Sequence, residues 1–74
     1  MQYEIEIGER VKREIKRGRQ VFSVNWIKKI ETEPGELVKL KYNNNFLAWG
    51  VINPKDLYHY IRIFSYNEDI DVYN

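Results

Sequence analysis

Hydrophobic and polar residues alternate at the start of the chain. Over residues 3–7 every second side chain is apolar, and this pattern is typical of a half-buried strand. The pattern then becomes helical, because Val11 and Ile15 are four residues apart among good helix formers and a glycine precedes and follows the segment. We therefore predict a helix over residues 9–17, with its basic side chains on the face opposite Val11 and Ile15.

Five later segments are rich in β-branched and aromatic residues, which favour strands, and turn residues separate several of them. Residues 20–24 and 26–31 are predicted to be strand or strand-like, with a possible bend at 23–25, and further strands are predicted at 38–42, 46–52 and 58–64. A hairpin tip is predicted at the three asparagines of 43–45, because asparagine tolerates positive φ. A further turn is predicted at the Pro-Gly pair within 33–36.

The periods within these segments also assign side chains to faces of the sheet. Segment 46–52 is apolar on both faces, which predicts the central strand and a buried Trp49. The segment before it alternates apolar residues with Lys39 and Lys41, which predicts a solvated face for both lysines. In the last segment, alternation places Tyr60 on the face opposite the two isoleucines.

One short helix and five to six short strands predict a mainly β fold, a small and partly open pseudo-barrel. We expect residues 1–74 to form one domain, because 43% hydrophobic and 15% aromatic content favours a compact core over a disordered chain. The sequence has no cysteine, which excludes disulfides and cysteine ligands for zinc. The acidic residues 67–74 are predicted to be a frayed tail or a junction to a further domain.

Basic residues are concentrated in one part of the chain. The formal net charge is only +1, but residues 10–29 hold eight of the twelve lysines and arginines and one acid, Glu14, which gives a local charge of +7. A local positive patch on a small domain is expected for a polyanion binder, because each neutralised phosphate releases condensed counterions. The other interpretation of this charge is a solvated helix face without a partner.

Groups suited to catalysis are sparse. His59 is the only histidine, and without an evident orienting partner it is expected to be a surface or packing residue rather than a general base. The sequence has no GxGxxG or phosphate-binding loop, and Asp69 and Asp71 supply too few oxygens for calcium. We therefore predict no enzymatic activity, no cofactor and no metal site, in a cytoplasmic domain without a membrane-spanning segment.

Five pieces of sequence, in order, carry a resemblance to a known family. They are Lys-Arg-Gly-Arg-Gln-Val-Phe-Ser at 16–23, Trp-Ile to Ile-Glu at 26–31, Glu-Pro-Gly-Glu-Leu-Val at 33–38, Phe-Leu-Ala-Trp-Gly to Asn-Pro at 46–54, and Ile-Arg-Ile-Phe-Ser at 61–65. Together they resemble the N-terminal PUA domain of the S-adenosylmethionine-dependent ribosomal RNA cytosine-5 methyltransferases. The methyltransferase half of that family, with its catalytic cysteines, has no counterpart in this sequence. Met1 favours a natural start and the acidic end resembles a domain junction, so we expect an N-terminal fragment or a shortened relative.

The resemblance implies a PUA-like pseudo-barrel of five or six strands whose helix, following loop and neighbouring strand face structured RNA. Ribosomal RNA is the implied partner, together with a methyltransferase domain in cis or in trans. The basic segment lies in that same region. The predicted RNA-binding residues are Arg10, Lys12, Arg13, Lys16, Arg17, Gly18, Arg19, Lys28 and Lys29. The basic side chains are expected to contact phosphates, and Gly18 to allow close approach of the two backbones.

A protein-interaction or dimerisation barrel without nucleic-acid binding is the alternative function. Exposed aromatic residues would supply its anchors. The candidate anchors are Phe22, Trp26, Tyr58 and Tyr60. Core packing is the expected role of Phe22, Phe46 and Trp49, because so short a chain has little other material for a core. For Tyr58 and Tyr60 both roles stay open.

Overall fold

The computed structural model describes residues 3–69, and within them one helix and five strands form. In chain order these are β1 (Tyr3–Glu6), α1 (Glu9–Lys16), β2 (Val21–Phe22), β3 (Leu37–Tyr42), β4 (Asn45–Ile52) and β5 (Ile61–Ser65). The strands form one sheet in the order β1-β3-β4-β5-β2, in which β1 pairs parallel with β3 and the other pairs are antiparallel. The predicted mainly β fold is confirmed, and β4 is the middle strand, as predicted.

The β3–β4 hairpin closes with the turn that the asparagine run predicts. Asn43 and Asn44 have φ values of 49° and 65°, in the left-handed region that asparagine adopts more readily than most residues. Positive φ at both central residues matches the turn to the twist of the two strands. The hairpin therefore brings β3 and β4 together with no further residues in the connection.

The main hydrophobic core lies between α1 and one face of the sheet. Val11 and Ile15 are 4% and 3% exposed, so the helical period assigned them correctly. The other core residues include Ile7, Phe22, Ile27, Val38, Leu40, Ala48 and Ile52. Gly50 faces this core, and a Cβ built on it would lie 2.7 Å from the Ile61 side chain. The missing side chain thus lets β4 and β5 pack more closely than a larger residue would allow.

Trp49 is buried as predicted, but it lies on the opposite face of the sheet, because both of its chain neighbours face the main core. It is 3% exposed and stands across from Lys39 in the β3–β4 register. Phe46 packs beside the indole with ring centroids 6.2 Å apart, and Lys39 Nζ lies 5.2 Å from the indole centroid. The indole N–H donates to the backbone oxygen of Glu68 at 3.1 Å. Trp49 therefore belongs to a second, smaller cluster that the chain after β5 covers.

The prediction that Lys39 and Lys41 lie on a solvated face is wrong. Their side chains are only 21% and 22% exposed, and each one pairs with a carboxylate. Lys39 Nζ lies 3.4 Å from Glu68 Oε2, and Lys41 Nζ lies 3.5 Å from Glu4 Oε1. The reason is that β1 and the chain after β5 bring acids onto this face, which alternation within β3 does not reveal.

The acidic segment 67–74 lies only partly within the described residues. Asn67 Oδ1 accepts the Asp69 N–H at 3.1 Å, and Glu68 makes the contacts with the sheet given above. Residues 70–74 lie outside the described part of the chain. The frayed tail and the junction to a further domain therefore stay predictions.

The strands predicted at 20–24 and 26–31 are largely wrong, whereas the possible bend at 23–25 is confirmed. Within them only β2 forms, and the chain then turns, because the N–H groups of Trp26 and Ile27 donate to the carbonyl of Ser23. The Ile27 side chain packs into the core from an irregular backbone. The high β propensity of this stretch reflects burial of its apolar side chains, which a strand and an ordered loop both provide.

Tyr60 lies in the core and not on the outer face that alternation predicts. It is fully buried, and β5 begins at the next residue, so the strand alternation does not extend to it. Its hydroxyl donates to the Ile30 carbonyl at 3.1 Å and accepts the Ile30 N–H at 2.8 Å. These bonds hold the irregular segment 26–31 against the core. Arg62 and Phe64 are exposed on the outer face, as predicted.

Candidate nucleic-acid interface

The exposed side of α1 is determined by its two buried residues, Val11 and Ile15. Because these anchor the helix, its period turns four basic side chains away from the core. The side chains of Arg13 and Arg17 are 67% and 76% exposed, and that of Lys12 is 31% exposed at the margin. We call these four residues the basic face: Lys12, Arg13, Lys16 and Arg17.

The helix ends at the left-handed glycine that the sequence predicts. Gly18 has a φ of 98°, its N–H donates to the Ile15 carbonyl at 3.0 Å, and the Arg19 N–H donates to the Glu14 carbonyl at 2.9 Å. These two bonds form a Schellman motif, which satisfies carbonyls at the helix end. Apart from Gly18 and its two chain neighbours, no atom lies within 4 Å of the position that a Cβ on Gly18 would take. The backbone at the helix exit is therefore open to a ligand.

Glu9 orders two residues of the basic face. Its carboxylate lies 3.8 Å from Lys12 Nζ and 3.3 Å from Arg13 Nε, and it accepts a hydrogen bond from the Tyr42 hydroxyl at 2.7 Å. The Tyr42 hydrogen bond, followed by the charge of Lys12, lowers the pKa of Glu9 from its ordinary value of 4.5. The same hydrogen bond raises the pKa of Tyr42. Since Lys12 Nζ also lies 4.7 Å from the Tyr42 ring centroid, Tyr42 ties the start of α1 to β3.

Replacing Tyr42 with phenylalanine should raise the pKa of Glu9 towards 4.5, because the largest cause of its depression is removed. NMR titration of the Glu9 side-chain carboxylate measures this change. A lowered folded-state pKa contributes stability above the unfolded pKa and loses it as pH falls through the folded value. The Tyr42→Phe variant should therefore lose less stability than wild type on acidification. An unchanged Glu9 pKa would show that the neighbouring cations, and not Tyr42, are decisive.

Glu14 orders the exit of α1 in the same way. Its carboxylate lies 3.4 Å from Arg17 Nη1 and 3.6 Å from Arg19 Nη1. Ion pairs between exposed side chains contribute little free energy. An incoming phosphate can therefore replace Glu14 as the partner of Arg17 at small cost.

Arg10 and Arg19 lie over Trp26. Their guanidinium carbons are 3.9 and 4.4 Å from the Trp26 ring centroid, and Phe22 meets the indole edge-on with centroids 5.9 Å apart. Arg19 Nε also donates to the Val21 carbonyl at 2.9 Å. These cation–π contacts hold Trp26 between α1 and β2. The sequence predicts both arginines as phosphate contacts and does not reveal that they also pack on Trp26.

Comparison with protein families covers the part of the chain that builds this arrangement. A family model described as a PUA-like domain matches residues 5–66, which include α1, its exit and most of the sheet. The chain belongs to the PUA-like domain family. PUA-like domains are generally non-catalytic and typically bind RNA. A comparison with curated proteins gave no match.

Seven of the nine predicted RNA-binding residues of this PUA-like domain lie on α1 or at its exit. The basic face and Gly18 are contiguous on α1 and its exit, with Arg10 and Arg19 beside them on Trp26. Lys28 and Lys29 are exposed in the irregular segment after Trp26. Their participation in the interface stays a prediction.

Sequence reasoning missed a groove beside the helix exit of the PUA-like domain. Its volume is about 480 Å³. Its lining residues are Ile15, Lys16, Gly18, Phe46, Leu47 and Tyr66. The β3–β4 register pairs Leu40 with Ala48 but Lys41 with Phe46, so Leu47 is the extra residue of a bulge. Strict alternation cannot assign the faces of residues on either side of a bulge, and the unbroken apolar run of 46–52 does not show where the bulge lies.

His59 has a carboxylate partner that the sequence did not reveal. Its Nδ1 lies 3.1 Å from Asp56 Oδ2, and the backbone N–H groups of Tyr58 and His59 donate to Asp56 Oδ1 at 3.1 and 3.0 Å. The His59 N–H is the main cause that lowers the pKa of Asp56. The His59 side chain is 60% exposed, which agrees with the predicted surface role. The Asp56 contacts order the loop between β4 and β5 and leave Tyr58 81% exposed.

Two further properties concern metal ions and membranes. In residues 3–69, no group of three or more histidine, cysteine, aspartate or glutamate side chains is placed to hold a metal ion. The same part of the chain contains no helix with the length and apolar character needed to cross a bilayer.

Proposed function

We propose that this PUA-like domain binds structured RNA through the basic face of α1 and the open backbone at Gly18. We further propose that it recognises ribosomal RNA for a cytosine-5 methyltransferase, either as one of its domains or as a stand-alone relative. One observation carries the proposal: four basic side chains occupy the exposed arc of a helix whose other side is fixed in the core. Because the helix backbone is anchored in the core, the spacing of these cations along α1 is set before RNA binds, so little backbone entropy is lost on binding.

The contacts of the basic face suit recognition of phosphates. The side chains of Arg13 and Arg17 are 67% and 76% exposed, and a guanidinium can hold two phosphate oxygens at once. In the free protein their carboxylate partners are Glu9 and Glu14. Phosphate contacts position a nucleic acid without reading its bases, so the specificity of this surface would come from RNA shape.

The methyltransferase association rests on the five pieces of sequence that resemble the N-terminal domain of those enzymes. The family match supports the RNA-binding part of the proposal. Because the chain has no cysteine, the nucleophile for cytosine-5 methylation would come from another domain, in cis or in trans. The role of this PUA-like domain would then be to hold the substrate RNA.

A salt titration tests the proposed function. Fluorescence anisotropy of the wild-type domain with a labelled ribosomal RNA hairpin should give log affinity falling linearly with log salt, with a slope of about −3 to −5 for four to six phosphate contacts. A DNA hairpin of the same sequence is the control, and it should bind more weakly because the face would recognise A-form shape. Absence of binding, or affinity independent of salt, would overturn the proposal. Equal affinity for the RNA and DNA hairpins would show that the domain binds by unspecific charge attraction and does not recognise RNA shape.

A protein-interaction barrel is the second candidate, and exposed apolar side chains are the observation that favours it. These residues are Leu57, Tyr58, Phe64 and Tyr66, which are 45%, 81%, 61% and 51% exposed. Two of the anchors offered by the sequence, Phe22 and Tyr60, are fully buried and cannot contribute. Self-association in sedimentation experiments that persists at high salt, without RNA binding, would favour this function.

A further inference from the structure

The outer face of the sheet, on the side opposite α1, carries a cation among apolar side chains. Arg62 is exposed on β5, and the strand registers place it directly across from Val51 of β4 and Val21 of β2, which are both half-buried. Phe64 lies two residues further along β5, on the same side, and is 61% exposed. Arg62 therefore has apolar neighbours on three sides. We call these four residues the Arg62 patch: Val21, Val51, Arg62 and Phe64.

The positive charge of this patch is not neutralised by the surrounding chain. None of the ion pairs formed within residues 3–69 includes Arg62. Asp56 lines the same pocket, but its Oδ1 accepts the N–H groups of Tyr58 and His59, and its Oδ2 lies 3.1 Å from His59 Nδ1. A guanidinium forms its strongest hydrogen bonds with a carboxylate or a phosphate. Arg62 is therefore available to an anionic group from outside the domain.

A small pocket beside Arg62 can hold such a group. Its volume is about 270 Å³, and Asn53, His59 and Val51 complete its lining. Asn53 Oδ1 accepts the Lys55 N–H at 3.3 Å, which leaves the Asn53 amide N–H groups as further donors. The pocket is smaller than the roughly 300 to 1,000 Å³ of small-ligand sites. It fits one anchoring group of a larger partner better than a whole small molecule.

The loop that forms one wall of the pocket is ordered before any partner binds. The Asn53 N–H donates to the Tyr60 carbonyl at 2.8 Å, and the Leu57 carbonyl accepts the Val24 N–H at 3.0 Å. Leu57 and Tyr58 nevertheless remain 45% and 81% exposed on this loop. An ordered loop loses little entropy on binding, and tyrosine and arginine are enriched among the residues that contribute most to protein interfaces.

We infer that the Arg62 patch docks a protein partner that presents a carboxylate beside an apolar side chain. The carboxylate enters the pocket and pairs with Arg62, and the apolar side chain covers Phe64. The exposed ring favours a protein over an RNA phosphate backbone, because burial of an aromatic side chain needs an apolar partner. This inference goes beyond the proposed function, since the patch and α1 lie on opposite sides of the sheet and both can be occupied at once.

NMR spectra of the isotope-labelled domain with three capped tripeptides test this inference. The probes are acetyl-Leu-Asp-Leu-amide, its asparagine counterpart of the same shape and its lysine counterpart of opposite charge. The aspartate peptide should shift the Arg62 Nε–H and the backbone signals of Val51 and Phe64, with a Kd of about 1 to 10 mM for so small a contact. The asparagine peptide should bind about 10-fold more weakly, and the lysine peptide should not shift the Arg62 signal.

Three variants separate the charged contact from the apolar one. Arg62→Gln should weaken the aspartate peptide about 10-fold. Phe64→Ala should weaken it about 3- to 10-fold and leave the binding of acetyl-Gly-Asp-Gly-amide unchanged. Lys55→Gln is the matched control, because it removes an exposed cation that does not line the pocket, and it should bind the aspartate peptide as wild type does. Thermal melting of each variant establishes that it is folded.

Several results would overturn the inference. One is an Arg62 signal that stays unchanged when the aspartate peptide is present well above the expected Kd, and another is equal binding of the aspartate and asparagine peptides. If an RNA hairpin shifts the Arg62 signals and the peptide does not, the patch belongs to the nucleic-acid surface. Signals of Phe64 that shift with protein concentration alone would assign the patch to a second copy of the chain. The salt titration of RNA binding is a separate measurement, so the proposed function stands or fails independently of these results.

Discussion

Trp49→Ala should lower the free energy of unfolding by about 3 kcal/mol, which is a large part of the roughly 5 to 15 kcal/mol typical of a native protein. The substitution removes an indole that is 3% exposed, and with it the contact with Phe46 and the hydrogen bond to the Glu68 carbonyl. We expect the lower part of the range for tryptophan, about 3 to 5 kcal/mol, because the indole is covered by the short chain after β5 and not by the main core. Urea denaturation followed by circular dichroism measures the change.

Two further variants determine where that stability comes from. Trp49→Phe keeps most of the packing and loses the indole N–H, so it should cost about 1 kcal/mol. Phe64→Ala removes an aromatic ring that is 61% exposed on the same face and should cost no more than about 0.5 kcal/mol. If Trp49→Ala unfolded at the same urea concentration as wild type, the chain around Glu68 would not cover the indole in solution.

The helix and the β3–β4 hairpin could be predicted because short-range patterns determine them. Val11 and Ile15 lie four residues apart and both face the core, and Gly18 ends α1 with the positive φ that its position indicated. Asn43 and Asn44 likewise adopt the left-handed values that their residue type favours. In each case the residue type and the neighbouring residues suffice, because the interactions concerned lie within one turn of the chain.

Long-range contacts account for the predictions that failed. Alternation predicts Tyr60 on the outer face, but its hydroxyl bonds to the backbone of Ile30, which is 30 residues away in sequence. Lys39 was placed in solvent, but Glu68 comes from the far end of the described chain to pair with it. The alternation of residues within one strand cannot predict these partners, because they depend on which segments the sheet brings side by side.

The candidate site was predictable to the extent that it depends on a helix. The basic face follows from the positions of Arg13 and Arg17 relative to the two buried residues of α1. The roles of Arg10 and Arg19 could not be predicted, because Trp26 reaches them from an irregular segment that the sequence predicted as a strand. The groove depends on a bulge in β4 and on the path of the chain after β5, so only the folded structure reveals it.

Neutralising Arg13 and Arg17 together should weaken RNA binding and leave the fold intact. In the Arg13→Gln, Arg17→Gln variant, neither change touches the core, and the exposed pairs with Glu9 and Glu14 contribute little to stability. The slope of log affinity against log salt should become less steep by about one to two units, one for each lost phosphate contact. Anisotropy titrations of a ribosomal RNA hairpin over a salt series measure both the affinity and the slope.

The matched control removes the same amount of positive charge from a surface outside α1. Lys39 and Lys41 are unsuitable, because both are ion-paired on the sheet and Lys39 also covers Trp49. Lys55 and Arg62 are exposed and lie outside α1, so Lys55→Gln with Arg62→Gln should have a much smaller effect on binding. Equal losses from the two double variants would indicate diffuse charge attraction in place of a defined site. If binding were unchanged in both, the basic face would have no part in it, and the protein-interaction function would become the better proposal.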